Sequence, residues 1–148
     1  MVEINLDQGT ADALIAMLKV RANDDVVHFP GPGGYISLPL FSQDGQEFFH
    51  LDVRRSGIDL LKATYQNRAM QVVILVRLDL GSAPHRNPDG AEIPSPHLHL
   101  YREGYGDKWA IPAPYDRFPH IQDLWISLQD FMQYCNIIET PFIQRGIV

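Results

Sequence analysis

Five successive segments of the chain alternate apolar and polar residues with a period of two, and this pattern restricts the fold more than any other feature. In "YISLPLF" Ile36, Leu38 and Leu40 share a face. In "FFHLDVRR" Phe49, Leu51 and Val53 oppose His50, Asp52 and Arg54. "LLKATYQNR" sets Leu61, Ala63 and Tyr65 against Lys62, Thr64, Gln66 and Arg68. "QVVILVRLDL" sets Val72, Ile74, Val76, Leu78 and Leu80 against Arg77 and Asp79, and "HLHLYRE" sets Leu98 and Leu100 against His97, His99, Tyr101 and Glu103. Side chains on a strand point alternately to its two sides, so such runs predict an antiparallel sheet with one buried face.

Helical spacing flanks the strands. Thr10 is placed to cap a helix over "ADALIAMLKVRA", with Ala13, Leu14, Met17, Leu18 and Arg21 along one side. "FPGPGGY" is read as a turn, because it lacks the Lys-Ser/Thr ending of a phosphate-binding loop. Near the C-terminus, Ile121, Leu124, Trp125, Leu128, Phe131, Met132 and Cys135 form a broad apolar stripe. Such a stripe predicts core packing, which also accounts for Trp125, Met132 and Cys135 without any chemical role. The expected architecture is α+β in a single domain over 1–148. It has an N-terminal helix, a curled antiparallel sheet of about five strands, and a long C-terminal helix packed on the apolar sheet face.

Composition removes several classes of function. With 148 residues, 45% of them hydrophobic, the chain is large enough for one real core. No run approaches the roughly 18 apolar residues of a membrane span. "MVEINLDQGT" carries acids and no basic region before its first apolar run, so no secretory leader and no membrane partner are expected. A single cysteine excludes an intrachain disulfide and makes a cytoplasmic location the default. A formal charge of −6 opposes indiscriminate nucleic-acid binding, leaving only a local basic patch for that purpose.

The polar sheet face gathers Arg54, Lys62, Thr64, Gln66, Arg68, Arg77, Asp79, His97, His99, Tyr101 and Glu103. Such a face often serves solubility alone. Two features favour a site. Histidine is uncommon as a solubility residue, yet two stand in one strand. The connection "GSAPHRNPDGAEIPSP", 81–96, is also longer than a hairpin needs. "NPDG" fits a type I turn, so an ordered loop is expected to bring His85, Asn87, Asp89 and Glu92 over the sheet end that carries Arg77, Asp79, His97 and His99. "REGYGDKW" then turns the chain to Trp109. Trp109 and Tyr105 are candidates for stacking a base, although a Trp beside a turn is more often core edge.

A leading helix and an antiparallel sheet displaying His, Arg, Lys, Thr and Tyr resemble the small metal-independent ribonucleases of barnase, EndoU and RelE type in layout and residue type. That resemblance implies a toxin-type endoribonuclease that uses no cofactor. His97 and His99 would be its acid/base pair, Arg77 and Lys62 would stabilise phosphate, Asp79 would orient a histidine, and His85 would replace either one. Arg54, Thr64, Arg68, Tyr101 and Trp109 would bind the RNA. "HLHLYRE" also resembles the first half of the cupin metal motif through His97, His99 and Glu103, although the second half is not visible downstream, and a non-cupin zinc or iron site from His85, His97, His99 and a carboxylate such as Glu103 is the other metal reading. A third reading is a non-enzymatic module that binds a cognate protein. Residues 79–110 as a whole resemble an uncharacterised bacterial family found around phages and mobile elements, which implies a conflict setting and no mechanism.

Overall fold

The computed structural model describes residues 4–146. Helix α1 (Gln8–Ala16) is followed by three-residue strands β1 (Lys19–Arg21) and β2 (Val26–His28). Four long strands come next: β3 (Tyr35–Ser42), β4 (Phe48–Arg55), β5 (Ala63–Ala69) and β6 (Val73–Leu80). The long loop forms a ribbon of β7 (His85–Arg86) and β8 (Glu92–Ile93), after which come β9 (His97–Leu100) and β10 (Ala110–Pro112). Helix α2 (Leu124–Tyr134), β11 (Ile137–Glu139) and β12 (Phe142–Gln144) complete the order.

The expected five-stranded antiparallel sheet with a long closing helix is therefore corrected. The main sheet has eight strands in the order β10-β9-β6-β5-β4-β3-β1-β11, and it is mixed because β11 runs parallel to β1. Helix α2 has 11 residues. Asp123 caps it by accepting from Ile126 N, and Asn136 ends it with a left-handed φ of 61°. The following residues pair as strands, which an apolar stripe at helical spacing gives no hint of.

Helix α1 is displaced from its expected span for a similar reason. Asp7, one turn before Thr10, accepts from Thr10 N and starts the helix early. Lys19–Arg21 then joins β3 and β11 instead of extending the helix. Lys19 is buried, and its ammonium donates to Ile15 O, Met17 O and Cys135 O, so one side chain satisfies carbonyls at the ends of both helices.

Both helices cover the same sheet face. Ala11, Leu14, Leu128, Phe131 and Met132 pack with Leu40, Phe49, Leu51, Val53, Tyr65, Leu78 and Leu98 in one core. Cys135 and Met132 are buried there, whereas Trp125 is half-buried and meets Phe29 edge-on at 5.6 Å. A β-bulge corrects the face expected for β6. Asn67 pairs with Val76 but Arg68 with Ile74, so Leu75 is an extra residue and enters the core. Below the bulge Val73 is buried, while Val72 is exposed and Ile74 lies half-buried on the polar face.

The end of β9 departs in the same way. The strand stops at Leu100, and Tyr101 N donates to Leu75 O. Tyr101 is thereby carried into the core, where its hydroxyl accepts from Leu6 N and donates to Leu6 O. Glu103 accepts from Gln8 N beside α1. Neither residue lies on the histidine face.

Candidate functional site: a histidine and aspartate cluster under the long loop

Register builds the site. Pairing of β6 with β9 sets Asp79 opposite His97 and Arg77 opposite His99, and pairing of β5 with β6 sets Thr64 beside Asp79. Residues directly opposite on one face lie close enough to bond. His97 Nε2 and His99 Nε2 are each 3.1 Å from Asp79 Oδ2. Thr64 Oγ1 donates to Asp79 Oδ1 at 3.2 Å.

The loop 81–96 closes over this cluster because its own turn is well formed. Gly90 N donates to Asn87 O, as a type I turn over "NPDG" requires, and Asn87 N donates to Ala91 O. Asn87 is buried and grips β10 with both ends of its amide, donating to Ala110 O and accepting from Ala110 N at 2.9 Å each. This clamp also occupies the outer edge of β10, which Pro112 further protects. The clamped loop sets the His85 ring 4.5 Å from His99 and 5.6 Å from His97, with its Nε2 2.8 Å from Lys108 O.

The result is a largely buried polar cluster. His97 is 2% exposed and His99 0%, and the Asp79 side chain retains 13%. Among the described residues, Asp79, His97 and His99 form the one group of three metal-ligating side chains whose atoms converge. His99 Nδ1 donates to Asp107 O at 2.8 Å, since a carbonyl only accepts. That bond puts a proton on Nδ1 and turns Nε2 towards Asp79 Oδ2 and Arg77 Nη2, each 3.1 Å away. Arg77 Nη1 also bonds the Asp107 carboxylate.

Electrostatics keep the Asp79 carboxyl ionised. Burial works against the Asp79 carboxylate, but bonding from His99 and the charges of Arg77 and the histidines outweigh it and hold the carboxyl down at about 2. Burial pushes the His97 imidazole below its ordinary value; Asp79 opposes this, and His99 and His85 reinforce it. The neutral ring has its Nδ1 buried with no hydrogen-bond partner among the described residues.

Other expected site residues lie elsewhere. Lys62 is exposed in the turn before β5, and Arg54 is exposed and stacks on Tyr35 at 4.6 Å. Arg68 is taken by Asp52, Ser37 and Gln71 O. Trp109 packs with Arg102 at 4.2 Å and Tyr105 at 5.7 Å in a separate cluster. Glu103, expected as a ligand, lies beside α1, and the carboxylate next to the two histidines is Asp79 on the neighbouring strand. Asp107 was missed because it acts on His99 through its backbone, and the only signal was an Asp following the two glycines of "REGYGDKW".

A family model described as a family of unknown function (DUF6978) matches residues 6–137. The chain belongs to this family. The DUF6978 match begins at Leu6, whose backbone holds Tyr101, and ends at Ile137 on β11, so it contains the whole histidine cluster. No curated protein and no solved structure matches the chain. Among the described residues, no helix is long and apolar enough to cross a membrane.

Proposed function

We propose that this protein binds a divalent transition metal, zinc or ferrous iron, through His97 Nε2, His99 Nε2 and the Asp79 carboxylate. One observation carries the reading. His97 Nε2 and His99 Nε2 each lie 3.1 Å from Asp79 Oδ2, and the three ligand atoms converge within 4.8 Å of one another in a mostly buried place. Two imidazoles and a carboxylate suit zinc or iron, and a metal-binding histidine commonly donates its other ring nitrogen to a carbonyl, as His99 does. Three protein ligands leave a coordination position free, the arrangement that Lewis-acid catalysis uses.

This reading is favoured over a metal-free ribonuclease in a mobile-element setting. General acid–base cleavage requires each ring to reach the RNA, and both rings are buried beneath a clamped loop. Lys62 and Arg54 stand outside the cluster, which leaves Arg77 as the expected phosphate-binding cation that reaches it.

The test is a zinc titration against a competing chelator. The wild type is expected to take up about one equivalent, and His99→Ala and Asp79→Asn to bind at least about 100-fold more weakly, beyond what loss of an outer-sphere contact costs. Equal affinity in all three proteins would overturn the assignment.

A further inference from the structure

Arg77 is engaged in a way that metal binding must change. Its Nη2 lies 3.1 Å from His99 Nε2, its Nη1 bonds the Asp107 carboxylate, and its Nε is ion-paired with Asp79 Oδ1 at 3.3 Å. In the neutral Nδ1–H ring that metal ligation at Nε2 requires, the Nε2 lone pair is what Arg77 Nη2–H meets. One lone pair cannot serve a guanidinium and a metal together. Ligation at Nε2 therefore releases an N–H beside the metal, while the Asp107 bond keeps the guanidinium in place.

Charge leads to the same point. Asp79 and Asp107 carry two negative charges and Arg77 one positive, and a divalent ion adds two, leaving one net positive charge in a mostly buried cluster. An uncompensated charge there is costly, and one negative charge on a bound molecule removes it. The cluster opens on the side of Arg77 and Asp107, whose side chains are 24% and 29% exposed against 3% and 0% for His97 and His99. Thr64 and Asp79 lie next to that opening.

Resting on the metal reading above, we propose that the metal-loaded site takes a small oxyanion, such as a carboxylate, held between the free coordination position and the released N–H of Arg77. A guanidinium offers charge-assisted donors matched to such oxygens.

The experiment uses cobalt(II) in place of the native ion and follows the visible absorption of the loaded protein during titration with acetate and, separately, sulfate. Chloride at equal ionic strength is the control. The wild-type spectrum is expected to shift with acetate or sulfate at concentrations where chloride leaves it unchanged. Arg77→Gln is expected to keep the cobalt spectrum and bind the anion about tenfold or more weakly, the loss of one charge-assisted bond. Arg77→Lys is expected to fall between them, and it serves if the Gln variant does not fold. A wild-type cobalt spectrum that neither anion moves beyond the chloride control overturns this inference and leaves metal binding standing. Failure to form any cobalt spectrum overturns the metal reading itself. An anion response of equal strength in wild type and both variants removes Arg77 from the site.

Discussion

His99 and Asp107 are joined by a part-buried hydrogen bond, from the ring Nδ1 of one to the backbone carbonyl of the other at 2.8 Å. The bond spans a turn of eight positions and fixes which nitrogen of His99 faces Asp79. In metal-free protein labelled with nitrogen-15 at histidine, long-range imidazole correlations are expected to show His99 as the Nδ1–H tautomer. An Nε2–H pattern with a bare Nδ1 would contradict the bond to Asp107 O.

The Asn87 clamp predicts a stability effect far from any chemistry. Asn87→Ala removes two buried hydrogen bonds and leaves the N–H and carbonyl of Ala110 unsatisfied. A cost of about 2–4 kcal/mol in urea unfolding is expected, along with faster hydrogen exchange in residues 85–93. A variant as stable as wild type would show that the loop is held by other contacts.

Asp52 lies on the same sheet face as Asp79, two strands away, and gives a pH-dependent prediction. Burial raises its carboxyl pKa, but bonds from Arg68, Ser37 and Gln66 outweigh burial and hold it below the ordinary value. The unfolded chain thus binds this proton more readily than the native one. The stabilisation is present above the ordinary carboxyl value of about 4 and is lost as pH falls through the lower native value. Asp52→Asn is expected to be about 2 kcal/mol less stable at neutral pH, with a flatter decline in acid. Parallel acid profiles for the two proteins would rule this out.

How much was legible follows from what each residue answers to. Strands β3 and β4 could be read because one face meets the core, so alternation reports directly on Phe49, Leu51 and Val53. The bulge at Leu75 was hidden, because "VVILV" is apolar at every position and carries no phase. Strands β1, β2, β11 and β12 have three residues each, too few to show a period, and form only because partners are already in place. The site divides in the same way. Alternation placed His97 with His99 and Arg77 with Asp79, and strand pairing brought the two pairs together. Their burial depends on Asn87 reaching Ala110, 23 positions away, which no local pattern encodes.

The most direct test is the metal content of purified, tag-free protein, measured by elemental mass spectrometry beside His99→Ala prepared identically. The account predicts about one equivalent of zinc or iron in the wild type and little in the variant. A wild type without metal, even after incubation with each ion in turn, would contradict it and return His97 and His99 to acid–base chemistry or plain recognition.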